Sequence, residues 1–179
     1  MLLLLLLYQP SGIAEPSKNA SCGGHLTARR GTISTPNFPG AFEVPIHCRW
    51  ILDASELSER PNASITVYLS QLYAFRGVSF REFAYYESET TNFGEALVRE
   101  IDESNAFEVR SVSTSRPYLL LDFHLERLEG NHVRVLDHLL DVYGFNVTYE
   151  MSEYLEQRQS CSIGDCSFAG NCLLASDRA

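Results

Sequence analysis

From Ser64 to Leu69 apolar and polar residues alternate, with Ile65, Val67 and Leu69 on one face and Thr66 and Tyr68 on the other. A period of two marks a half-buried strand. The same period recurs in Tyr118–Leu125, where Leu119, Leu121, Phe123 and Leu125 share a face and are expected at the centre of the core. Burying one such side chain contributes roughly 1.5–3 kcal/mol. Shorter strand-type runs occupy residues 31–34, 46–52, 82–87, 96–98 and 107–112. Between them lie a turn at Phe75–Ser79, a charged loop at 53–62 and an exit loop at 89–94. Many short strands separated by turn signals predict an all-β fold, an antiparallel β-sandwich.

One stretch breaks the pattern. In residues 126–143, after Gly130, the apolar positions are Val133, Val135, Leu136, Leu139, Leu140, Val142 and Tyr143. Their spacings of three and four predict a short helical insertion, with Asn131 as its N-cap. It would lie at one end of the sandwich, as a lid or a partner surface.

At the N-terminus six leucines follow Met1, too short a run to span a bilayer. With Pro10 after them and Gly12 and Ala14 at a plausible cleavage site, residues 1–14 read as a secretory signal peptide without its basic n-region. No other apolar run reaches membrane-spanning length. The chain carries three N-glycosylation sequons, at Asn19, Asn62 and Asn146. All of this points to an extracellular, oxidising setting.

The 179 residues allow one domain plus extras, and a 45% apolar composition supports a core. A net charge of −9 argues against nucleic-acid binding, since no basic stripe exists to neutralise phosphates. The acidic balance otherwise reads as solvated surface. Enzyme signatures are missing: the sequence has no Gly-x-Ser-x-Gly elbow, no His-Glu-x-x-His and no phosphate-cradling glycine loop. His124, His132 and His138 stand near Asp137 and Asp141, but without a ligand-spacing signature they read as surface residues. Five cysteines is an odd number, which leaves a free thiol, an intermolecular bridge or an incomplete module.

The most informative stretch runs from Cys22 to Trp50, with Gly31-Thr32-Ile33-Ser34, then Pro36-Asn37-Phe38-Pro39-Gly40, then Cys48-Arg49-Trp50 leading into Ile51-Leu52. The two prolines fix φ and remove two donors, so the chain must turn between them. This stretch resembles the start of a CUB domain, an extracellular β-sandwich module, and Gly144-Phe145-Asn146-Val147-Thr148-Tyr149 resembles its closing strand. The resemblance implies a disulfide between Cys22 and Cys48, worth roughly 3 kcal/mol in the chain-entropy treatment. No cysteine lies between Cys48 and Cys161, so the family's second disulfide is absent and the domain would be a two-cysteine variant. The resemblance also makes Glu82 and Asp137 candidate calcium ligands. The family's first acidic position falls near Ala74, which carries no acid, so the ligand set is incomplete.

The resemblance places the CUB domain at 22–150, followed by a polar linker at 151–160. Cys161, Cys166 and Cys172 then resemble the first half of an EGF-like module (161–179) whose later cysteines are absent. The expected function is non-catalytic binding of an extracellular protein ligand, in the N-terminal part of a larger cell-surface receptor or matrix glycoprotein anchored downstream. The alternative is a substrate-recognition arm of a secreted protease whose catalytic domain lies beyond this chain.

Overall fold

The structure is a computed structural model of the chain, and it describes residues 22–57, 63–135 and 140–153. Among these residues the chain runs through β1 (Gly24–Leu26), β2 (Arg30–Ser34), β3 (Ile46–Asp53), a 3-10 turn (Ser55–Leu57), β4 (Ala63–Leu72), β5 (Val78–Phe83), β6 (Tyr85–Tyr86) and β7 (Asn92–Phe93). It continues through β8 (Ala96–Ile101), β9 (Ser111–Thr114), β10 (Tyr118–Leu125), β11 (His132–Val135), β12 (Leu140–Tyr143) and β13 (Phe145–Glu153). The order β1-β3-β10-β5-β8 makes a five-stranded sheet, and β2-β13-β4-β9 a four-stranded one. Within them every pairing is antiparallel except that of β1 with β3. The two sheets face each other across a shared core, which makes the fold an antiparallel β-sandwich.

The period-two reading of β10 places the core correctly. Leu119, Leu121, Phe123 and Leu125 are all buried between the sheets, opposite Ile65, Val67, Val147 and Tyr149. Trp50 and Phe123 come from the five-stranded sheet and Phe145 from the other, and the rings meet edge to face, Trp50–Phe145 at 5.8 Å and Phe123–Phe145 at 5.3 Å. The same strand is also apolar on its outer face. Tyr118 and Leu120 form a second cluster there with Ile51 and Phe83, against which Tyr86 packs. A strand buried on both sides reads as a nearly continuous apolar run.

Residues 31–40 behave as their glycine and prolines dictate. After β2 the chain turns at Thr35–Gly40, where Gly40 N–H donates to Asn37 O (2.7 Å) and Asn37 Nδ2 to Ala41 O (2.7 Å). Thr35, buried behind β2, ties this turn to β13: its N–H donates to Phe145 O (3.0 Å) and its Oγ1 accepts from Phe145 N–H (3.2 Å).

Four expectations change. The helix expected within 126–143 is instead the hairpin β11–β12, with Val133 opposite Val142 and Arg134 opposite Asp141. Its β-branched valines suit a strand better than a helix, and Gly130, at φ 70°, makes the bend that leads into it. The strand expected at 82–87 begins earlier, as β5, and breaks at Ala84, whose N–H bonds to Phe93 O as the chain folds onto the outer face. Phe107 and Glu108 belong to a turn, Arg110 O accepts from Leu69 N–H of β4 (2.9 Å), and β9 begins at Ser111. The Asp102 carboxylate holds the preceding loop by accepting from Ser104 N–H (2.8 Å) and Ser104 Oγ (2.5 Å), which lowers its pKa. Finally, β13 continues past residue 150 to Glu153, with Met151 and Ser152 buried.

Candidate functional site

Cys22 and Cys48 are bonded, with Cα atoms 5.1 Å apart. Cys48 lies buried on β3, and the bridge fastens the residues ahead of β1 to a strand flanked on both sides within its sheet. Cys161, Cys166, Cys172, Asn19, Asn62 and Asp137 lie outside the described residues. Asn146 is on β13, partly exposed, with its Nδ2 donating to Gln71 Oε1 (3.1 Å).

Glu82 sits at the C-terminal end of β5, where Thr114 Oγ1 donates to one carboxylate oxygen and Arg116 Nε lies 3.1 Å from the other. The other candidate, Asp137, falls between β11 and β12, outside the described residues; those two strands leave from the end of β10 and return to the start of β13. Both of those points are at the opposite end of the sandwich, near the turn that leads into β5. There the described residues offer no cage of oxygens. Ala74 is buried and apolar, and the polar centre is Asn131, only 1% exposed. Its Oδ1 accepts from Phe75 N–H (2.6 Å) and Arg76 N–H (3.2 Å), and its Nδ2 donates to Arg76 O (3.3 Å). Arg76 in turn donates to Glu129 O (3.0 Å). Asn131 therefore caps no helix; it clamps two loops together. Among the described residues no group of three or more His, Cys, Asp or Glu side chains is placed to hold a metal ion.

Asn131→Leu removes three hydrogen bonds and leaves the Phe75 and Arg76 amides without their acceptor. The expected loss is about 1–3 kcal/mol, read from the midpoint of a urea transition.

The features that could meet a partner lie elsewhere, and the sequence reading did not single them out. Tyr85 on β6 and Phe93 on β7 stack with ring centroids 5.5 Å apart, and Phe93 is 63% exposed. The Tyr85 hydroxyl donates to Glu87 (3.1 Å), and that bond together with the carboxylate's charge raises the phenol's pKa. On the edge strand β8, Leu97 is 59% exposed, and Arg81 of β5 pairs with Glu95 just before β8 (2.7 Å). Exposed aromatic and apolar side chains bordered by charge have the composition of a protein contact surface. The only signal available in sequence was the aromatic density of residues 83–93, which is equally a strand signal.

No family model matches the chain. A stretch of 42 residues, 24% of the chain, is 43% identical to the human Membrane frizzled-related protein, and it spans 7% of that protein's length. Among solved structures, the MASP-1 CUB2 domain bound to Ca2+ is similar at a TM-score of 0.42 and 14% identity, over 73% of this chain and 99% of that one. The CUB1-EGF-CUB2 domain of human MASP-1/3 is similar at a TM-score of 0.42 and 13% identity, over 73% of this chain and 43% of that one. No helix among the described residues is long and apolar enough to cross a membrane.

Proposed function

We propose that this chain contributes a CUB-type module that binds an extracellular protein, as part of a larger cell-surface or matrix glycoprotein. The observation that carries this reading is the Cys22–Cys48 bridge onto β3 of an antiparallel sandwich, the pairing that the motif resemblance implies. A disulfide favours an oxidising compartment. The three sequons and the local likeness to a protein named for the membrane support a cell-surface setting. The role is binding rather than catalysis, through the exposed ring pair of β6 and β7 and the edge strand β8.

The test is expression in secretory cells. The chain is expected in the medium with Cys22 and Cys48 joined, and against an array of extracellular proteins it should capture a ligand that Phe93→Asp releases. Retention in the cytosol with both thiols reduced, or capture unaffected by Phe93→Asp and by Leu97→Asp, overturns the reading.

The module is expected to fold without calcium, because Arg116 already neutralises Glu82. An ion bound at micromolar Kd would add roughly 4 kcal/mol at millimolar concentration. Millimolar calcium should leave the melting temperature unmoved, and a rise of several degrees would contradict this.

A further inference from the structure

The outer face of the five-stranded sheet brings two imidazoles together from positions far apart in sequence. His47 on β3 and His124 on β10 are direct cross-strand partners. Their ring centroids are 5.1 Å apart, with the planes inclined at 43°. Both side chains are about half exposed, 52% for His47 and 55% for His124. Each ring has a carboxylate on its Nε2. His47 Nε2 lies 2.7 Å from Asp122 Oδ1, and His124 Nε2 lies 2.9 Å from Glu126 Oε1.

A carboxylate on one ring nitrogen draws the proton to that side and leaves a lone pair on the other nitrogen. It also fixes the ring's orientation, which is how metal-binding histidines are commonly held. Asp122 also draws the Arg49 guanidinium to 3.8 Å, and Arg49 is paired in turn with Glu89. The spacing fits as well. A zinc–nitrogen bond of about 2.0–2.1 Å puts the metal about 3.2 Å from each ring centre, so two imidazoles at a tetrahedral angle stand about 5 Å apart. The rings already have that separation.

We propose that His47 and His124 form a two-imidazole chelate for a divalent transition metal ion of the zinc class, bound through the Nδ1 atoms and oriented by Asp122 and Glu126. Water or a group from a binding partner completes the coordination. Imidazole selects zinc, copper or nickel over calcium, which requires oxygens. The site does not depend on the CUB reading and is separate from Glu82 and Asp137.

The test uses the full chain with zinc chloride alone as the probe, followed by NMR of the imidazole nitrogens, which distinguishes these rings from the cysteines near the C-terminus. The His47 and His124 Nδ1 signals are expected to shift together and saturate in the micromolar range. Alanine at His124 should raise the zinc needed for the His47 response by about tenfold or more. His25, paired with Asp53 (2.7 Å) on β3, is the control, and His25→Ala should change nothing. Silence of both rings at micromolar zinc overturns the proposal, as does an unchanged His47 response in His124→Ala. Both positions are exposed enough for the variants to fold.

Discussion

Phe145→Ala is expected to cost the sandwich about 3–5 kcal/mol, the range for removing a buried phenylalanine. The ring is 1% exposed and begins β13, on the opposite side of the core from Trp50 and Phe123, both of which it meets edge to face. Each aromatic pair adds about 0.5–1.5 kcal/mol beyond area burial. The truncation also leaves a cavity that cannot readily close. The backbone at 145 is pinned to Thr35 on one side, and the adjacent Gly144 O accepts from Tyr73 N–H (2.9 Å) on the other. In urea the midpoint should fall sharply with an unchanged slope. Leu97→Ala, at a 59% exposed position on the edge strand, is the control and should stay within about 0.5 kcal/mol of the parent.

Cys48→Ala is expected to cost about 2–5 kcal/mol. The bridge closes a separation of 26 residues, so its loss frees the unfolded chain across β1, β2 and the proline-rich turn. Cys48 itself is fully buried among Trp50, Leu52 and their neighbours, so its truncation also removes packing. Cys22, at the edge of that cluster, separates the two contributions. Cys22→Ala should lose only the cross-link contribution, and treating the parent with reductant should reproduce that loss. If all three conditions give the parent's midpoint, the bond contributes nothing to stability.

How far the fold was legible depended on where the deciding contacts lie. β4 and β10 carry their own period-two signal and were legible over most of their length, whereas β13 was legible only in the part that the motif resemblance covers. The hairpin at 132–143 was misread because Val133, Leu136 and Leu140 satisfy a helical spacing as well as a strand one. What settles the matter is tertiary, an Asn131 side chain spent on Phe75 and Arg76 more than fifty residues earlier. The Cys22–Cys48 pair was legible because two cysteines frame one recognisable stretch. Glu82 looked available because nothing nearby in sequence announces Arg116 as its partner. The stacked Tyr85 and Phe93 were hidden for a related reason. Aromatic residues near a strand look like core until the chain is seen to fold back over the outer face, where Tyr86 joins the cluster of Phe83 and Tyr118.

The position of the disulfide has a mechanical consequence. Tension applied on the amino-terminal side of Cys22 passes through the two sulfurs directly into β3. The segment from Gly23 to His47, including β1, β2 and the turn between the prolines, is thereby short-circuited and bears no load. A tether on that side would therefore pull against a strand hydrogen-bonded along its length to β10, rather than against β1 at the sheet margin.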